Sequence, residues 1–244
     1  MSPSAVLFDL DDTLFDHDYC SRSALWSVRE EHPALSAAPW EELRDTYSRL
    51  LEEVHARLLG GEFTLDEARR ERFRLLFSEL GGEAPDELVR RTVEGYGRAY
   101  RQSWRAVQGA EDLLRRVGER AAVAVVTNNL LREQQDKLSV LGLERYVDAL
   151  IASEEVGVAK PEPGIFRVAL QRVGCEPGEA VMVGDSWASD VLGARAAGIP
   201  AVWLNARGME CPDPSLAREI RTLEPAEELL ESLCGGDRPR SNPL

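Results

Sequence analysis

Cysteine is scarce in this chain: four residues, at positions 20, 175, 211 and 234, with no Cys-x-x-Cys spacing among them. That excludes a structural zinc site of the usual kind and a disulfide-stapled secreted fold, and leaves reduced thiols as the reading. Long apolar runs are missing too. The longest, Ala121 to Val126, falls far short of the ~18 residues of a membrane span. No basic segment followed by an apolar one opens the chain, so a cytoplasmic protein with no membrane partner is expected. Positive charge is in deficit, with 29 Lys and Arg against 43 Asp and Glu, a formal net charge of -14. Such a surface cannot displace the counterions of a nucleic acid polymer or an anionic bilayer. An anionic substrate would need a local cation.

What is present is an ordinary globular composition, 43% hydrophobic and 30% charged over 244 residues, enough for one core domain with a smaller domain inserted in it. Ala5-Val6-Leu7-Phe8 is a short apolar run that stops at Asp9, as a buried parallel strand does when it delivers a polar residue at its carboxyl end. Further runs behave alike: Ala121 to Val126 ends at Thr127, Ala149 to Ala152 precedes Lys160, Ala180 to Val183 ends at Gly184-Asp185, and Pro200 to Leu204 ends at Asn205. Helical periodicity fills the intervals at Ala110 to Val117, Leu131 to Leu141, Gly164 to Val173 and Ser186 to Ala197. Alternation of this kind predicts an α/β fold, a Rossmann-like doubly wound parallel sheet with its polar residues gathered at the strand ends.

From Tyr19 to Trp104 the strand-like runs disappear and only the helical period remains. About four helices are expected there: Tyr19 to Glu31, Trp40 to Leu59, one opened by the capping-box signature Thr64-Leu65-Asp66-Glu67, and one after Pro85. The predicted organisation is a core of residues 1–15 and 105–234, an all-helical insertion of residues 16–104, and a flexible tail of residues 235–244 rich in glycine, proline and charge. No internal repeat is present.

Four constellations carry chemistry. Asp9-Leu10-Asp11-Asp12-Thr13 sits where a strand gives way to a loop, and an extended chain there turns Asp9 and Asp11 to one side. Turn hydrogen bonding is the alternative use of such aspartates. Thr127-Asn128-Asn129 offers a hydroxyl and turn amides for a phosphate oxygen, or a plain turn. Lys160 lies in a proline-rich loop with Pro161 and Pro163, where lysine is ordinarily solvated. Gly184-Asp185-Ser186-Trp187-Ala188-Ser189-Asp190 follows an apolar run and opens a helix, where one aspartate serves as a cap and two ask for more.

Together, in this order, the four motifs resemble the haloacid dehalogenase superfamily: Asp-x-Asp-x-Thr at 9 to 13, Thr-Asn at 127 and 128, Lys-Pro at 160 and 161, and Gly-Asp-Ser-x-x-x-Asp at 184 to 190. The helical insertion stands where members with a helical cap carry that cap. The resemblance implies a phosphatase in which Asp9 is the nucleophile and is transiently phosphorylated, while Asp11 protonates the leaving group and then activates water. It implies magnesium as cofactor, held by the Asp9 and Asp185 carboxylates and the Asp11 backbone carbonyl, with Asp190 acting through water or by orienting its neighbours. Thr127, Asn128 and Lys160 would hold the transferring oxygens. A dianionic phosphate beside three aspartates needs such a hard cation in any case.

Members that dehalogenate lack an aspartate two residues after the nucleophile, so Asp11 argues for phosphate chemistry. Val181 to Asn205 and Thr13-Leu14-Phe15-Asp16 look like the subgroup of pyrimidine 5'-nucleotidases and N-acylneuraminate-9-phosphatases. The expected substrate is a small phosphorylated metabolite, foremost a nucleoside 5'-monophosphate. Sugar phosphates and phosphoglycolate stand second, ahead of phosphomutase activity or a non-catalytic regulator. His17, Tyr19 and Trp187 are possible substrate contacts. Asn129 stands where many relatives have glycine; if the position needs a positive φ, asparagine is the least costly substitute, and altered local geometry without loss of function is expected. The arginines at 69, 70, 72 and 74 read as an exposed face. A monomer or homodimer is expected.

Overall fold

The computed structural model describes residues 3–82 and 84–234; the tail expected to be flexible lies outside them. Two compact units divide the chain. One runs up to Asp16 and resumes at Arg105, and the other is His17–Trp104.

The first unit is built on six parallel strands: β1 Ala5–Phe8, β2 Ala122–Thr127, β3 Ala149–Ala152, β4 Ala180–Gly184, β5 Ala201–Leu204 and β6 Ala217–Ile220. Their spatial order is β3-β2-β1-β4-β5-β6. The α/β expectation is met. β1 is fully buried and lies between β2 and β4, with Phe8 level with Val125 on one side and Val183 on the other. The chain winds outward in one direction through β2 and β3 and in the other through β4, β5 and β6. The order therefore reverses at β1 and β4, and the crevice beyond the carboxyl ends of such strands is where α/β sheets bind ligands.

β6 has no counterpart in the apolar runs. Ala217-Arg218-Glu219-Ile220 is short, half polar and pairs only with β5, as an edge strand can be without exposing an apolar ladder. Under the sheet, Ile165, Phe166, Ala169 and Leu170 of helix Pro163–Val173 pack with Leu7, Val126, Ile151, Met182 and Trp203.

The second unit consists of helices His17–Glu31, Pro33–Ala37, Trp40–Leu59, Leu65–Leu80 and Asp86–Gln102. The four long helices follow the sequence periodicity, and the five-residue Pro33–Ala37 is additional. The capping box at Thr64 and Glu67 forms as its signature requires. Leu25, Val28, Tyr47, Leu50, Phe73, Phe77 and Tyr96 make the buried interior. Among the four arginines expected on an exposed face, Arg70 and Arg74 are exposed, but Arg69 is half-buried and so is Arg72. Its guanidinium stands 5.0 Å from the Tyr47 ring centroid and 5.6 Å from that of Tyr96, where aromatic faces attract a cation.

Candidate active site

Asp9 is the first residue after β1, and its N–H donates to the Val183 carbonyl at 2.9 Å, extending the ladder to β4 by one step. The chain then closes tightly. Thr13, Leu14 and Phe15 all donate from their backbone N–H to the Leu10 carbonyl, and Asp12 adopts a left-handed φ of 62° at the apex. This turn buries the Thr13 side chain completely, and its hydroxyl accepts from the Asp185 N–H at 3.1 Å. Trp203 of β5 donates from its indole Nε1 to the Asp185 carbonyl at 2.8 Å. The loop after β4 is thus fixed by β1 on one side and β5 on the other.

Asp190 reaches back from a wide π-type turn, Trp187–Val191. Its Oδ2 accepts from the Ser186 N–H at 3.0 Å. A Cβ on Gly184 would lie 2.2 Å from that oxygen, so only glycine leaves room for the carboxylate. One oxygen from each of Asp9, Asp185 and Asp190 lies within 4.8 Å of the others.

Lys160 enters this cluster from its loop, almost wholly buried. Its Nζ lies 2.5 Å from Asp9 Oδ1 and 2.7 Å from Asp190 Oδ1. Burial alone would lower its pKa, but the Asp190 and Asp9 carboxylates more than offset that and raise it, so the ammonium stays charged. Burial raises the Asp9 carboxyl against the attraction of Lys160, with Asp190 adding repulsion. Burial also raises Asp185, reinforced by the charges of Asp9 and Asp190. When ionised, three buried or half-buried carboxylates against one ammonium carry an excess of negative charge. An all-oxygen donor set with that excess fits a hard divalent cation such as magnesium.

Asn128 is engaged through its side chain with the Lys160 loop. Its side-chain Nδ2 donates to the Lys160 carbonyl at 2.7 Å and its Oδ1 accepts from the Lys160 N–H at 2.6 Å. Both ends of the amide therefore clamp the lysine loop to the end of β2. Thr127 is the buried last residue of β2. Asn129 does not take the positive φ that a glycine position suggests; Asp12 is the one non-glycine with positive φ among the described residues. Instead its Oδ1 accepts from the Leu130 N–H at 2.9 Å and its Nδ2 donates to Asp11 Oδ2 at 3.3 Å.

The Asp11 carboxylate is outside the three-oxygen cluster. It meets Lys137 Nζ at 2.6 Å and Gln134 Nε2 at 3.0 Å, both from helix Leu131–Val140. The sequence reading missed these two residues. A signal existed, since Gln134 and Lys137 stand three apart beside Leu138 on the face that an apolar stripe would occupy.

Of the possible substrate contacts, Trp187 is half-buried and packs edge-to-face on Trp203 with centroids 5.1 Å apart. In the helical unit, His17 Nδ1 is 2.8 Å from the Tyr100 hydroxyl and Tyr19 is exposed. Among the described residues, no helix is long and apolar enough to cross a membrane. Cys20, Cys175 and Cys211 are free thiols.

Phosphoserine phosphatase of Thermus thermophilus is 39% identical over 163 residues, 66% of this chain and 64% of that protein. Pyrimidine 5'-nucleotidase YjjG of Escherichia coli is 32% identical over 230 residues, 94% of this chain and 97% of that protein. The magnesium-bound crystal structure of the HAD-hydrolase YfnB from Bacillus subtilis matches with a TM-score of 0.76 at 26% identity, over 96% of this chain and 99% of that one. Residues 3–198 match the haloacid dehalogenase-like hydrolase family, and the chain belongs to that family as a phosphatase-type hydrolase.

Proposed function

We propose that this chain hydrolyses small phosphomonoesters with magnesium, through a phosphoryl group carried transiently on Asp9, and that its preferred substrate is a nucleoside 5'-monophosphate. The observation that carries the chemistry is the cluster of Asp9, Asp185 and Asp190 around Lys160 at a strand-order reversal. The relative named as a pyrimidine 5'-nucleotidase, matched over nearly its whole length, supports the substrate class.

An oxygen of Asp9 attacks phosphorus while the bond to the leaving oxygen breaks, and Asp11 supplies the proton that oxygen takes up. Water then attacks the acyl phosphate and gives its proton to Asp11, which regenerates Asp9 and frees phosphate. Lys160 keeps Asp9 in place and adds positive charge where the transferred oxygens gather. Thr127 and the backbone after it face the same end of the sheet. Asp9, Asp185 and the Asp11 backbone carbonyl, with Asp190 beside them, would hold a magnesium ion, whose charge would let carboxylates and phosphate share one site.

A panel of nucleoside monophosphates, phosphoserine, sugar phosphates and phosphoglycolate, assayed with magnesium and with chelator, tests the reading. Nucleotides are expected to give the highest kcat/KM, and both chelator and Asp9→Asn to abolish phosphate release. Undiminished turnover by Asp9→Asn would sink the mechanism. Equal rates on nucleotides and sugar phosphates would sink the substrate preference alone. The match to a phosphoserine phosphatase favours phosphoserine as the second candidate.

A further inference from the structure

Helix Leu131–Val140 turns two polar side chains inward, Gln134 at 0% exposure and Lys137 at 1%. A lysine is seldom buried this deeply unless its charge is met. Here the ammonium lies 2.6 Å from Asp11 Oδ1, 3.8 Å from Glu133 Oε1 and 4.6 Å from the centroid of the Phe15 ring. Gln134 takes the other oxygen of the same carboxylate, with Nε2 3.0 Å from Asp11 Oδ2. The far end of that amide, Gln134 Oε1, is buried with no hydrogen-bond partner. Methionine would fill the same space without a stranded acceptor, so packing does not account for glutamine. Asn129 Nδ2 also donates to Asp11 Oδ2 at 3.3 Å, and donors on both oxygens fix the place and the rotation of a carboxyl group.

We propose that Lys137 and Gln134 are positioning residues for phosphoryl transfer, holding the Asp11 carboxyl group at the orientation from which it exchanges a proton with the leaving oxygen and then with water. The inference rests on the reading of Asp11 as the proton donor. In the first half-reaction the P–O bond to Asp9 forms. The P–O bond to the leaving group breaks with its electron pair on the departing oxygen, and the Asp11 proton goes to that oxygen. An alkoxide needs that proton, whereas a p-nitrophenolate leaves readily without it. Dependence on Asp11, and on whatever acts through Asp11, is therefore larger for alkyl than for aryl esters.

The test is rapid-quench, single-turnover release of the leaving group at saturating magnesium. The substrates are p-nitrophenyl phosphate and whichever of deoxythymidine 5'-monophosphate and phosphoserine is hydrolysed faster. Lys137→Met should slow the alkyl ester by about 100-fold, the lower range of general-acid effects, and the aryl ester by less than about 10-fold, with KM nearly unchanged. Added to Asp11→Asn, it should cost nothing further, because both changes remove one function. Equal losses on the two esters, or additive losses in the double variant, would assign Lys137 a merely structural role and overturn the proposal. If Asp11→Asn itself spares the alkyl ester, the reading of Asp11 as donor fails, and that result is separable from the first. Gln134→Met, which keeps the volume and deletes the stranded oxygen, should show the same alkyl-selective loss at smaller size. If Lys137→Met does not fold, an equal effect of Gln134→Met on both esters overturns the proposal.

Discussion

The Thr13 hydroxyl accepts a 3.1 Å hydrogen bond from the Asp185 N–H, joining the loop that follows β1 to the loop that follows β4. With Trp203 holding the carbonyl of the same residue, the Asp185 peptide is gripped at both ends while its carboxyl group faces Asp9 and Asp190. Thr13→Val keeps the buried shape and removes the acceptor. An unpaired, partly buried N–H costs about 1–3 kcal/mol, so the melting temperature should fall by roughly 2–12 °C at ~2–4 °C per kcal/mol. If Asp185 holds magnesium as proposed, the loss of the bond that orients it should weaken magnesium affinity by about 10-fold or more. The magnesium dependence of phosphate release reads this, and an unshifted curve would show that the bond does not orient Asp185.

The carboxylate cluster makes stability depend on pH in a direction opposite to ordinary surface carboxylates. Burial and neighbouring charge push Asp9 up to about 7 and Asp185 up to about 8, from an ordinary value of 3.8. Between those limits the folded chain holds protons that the unfolded chain has released. The stability from these groups is full below about pH 4 and is lost as pH rises through the two raised values. In EDTA, the melting temperature of Asp185→Asn should therefore gain on the parent as pH rises from about 5 to about 8.5. Magnesium requires the ionised carboxylates, so its stabilising effect should be larger at about pH 8.5 than at about pH 5.5, and its binding should release protons. Calorimetric titration in two buffers of different ionisation enthalpy, alongside thermal melts, measures both. A magnesium effect that shrinks with rising pH would contradict the cluster as the cation site.

Sequence patterning made the interior strands readable because a buried parallel strand is a continuous apolar run, and Asp9, Thr127 and Asp185 stand directly where β1, β2 and β4 stop. Lys160 was readable through its motif, though not its burial between Asp9, Asp190 and the Asn128 clamp. β6 escaped because an edge strand needs only one buried face and Ala217-Arg218-Glu219-Ile220 shows no run. Gln134 and Lys137 escaped for a different reason. Polar residues on a helix are ordinarily its solvent face; the place of Gln134 and Lys137 beside Leu138 hinted otherwise, but their partner Asp11 lies 126 residues earlier in the chain than Lys137. The clamp of Asn128 on Lys160 is likewise a tertiary fact that a Thr-Asn motif does not announce.

Gly184 tests how tightly the cluster is built. An added methyl at this position would fall 2.2 Å from Asp190 Oδ2 and 2.4 Å from its Cγ, inside any allowed contact. Asp190 would have to swing away, and Lys160 would lose one of its two carboxylates. Overpacking of this kind costs about 1–3 kcal/mol, and misplacing a catalytic group by an ångström costs about 100-fold in rate. Gly184→Ala should therefore fold, melt several degrees lower and lose about 100-fold in kcat on p-nitrophenyl phosphate. Near-normal kcat would mean that Asp190 serves packing alone.

Thr64 offers the complementary case, a change in stability without a change in chemistry. Its hydroxyl accepts from the Glu67 N–H at 3.3 Å, and Glu67 Oε2 accepts from the Thr64 N–H at 2.8 Å and from the Thr64 hydroxyl at 2.7 Å. These bonds, from the backbone first and the hydroxyl second, hold the Glu67 carboxyl below the usual carboxylate range. A lowered carboxyl contributes stability above its unfolded pKa and loses it as pH falls through the folded value, the reverse of Asp9. Removing the cap with Thr64→Ala costs about 1 kcal/mol, or roughly 2–4 °C. No member of the carboxylate cluster belongs to the unit that contains Thr64. The melting temperature should accordingly fall by that amount near neutral pH while kcat on p-nitrophenyl phosphate stays within about two-fold of the parent, a span of only ~0.4 kcal/mol in barrier height. A ten-fold loss of kcat would show that the end of helix Leu65–Leu80 bears on turnover as well as on folding.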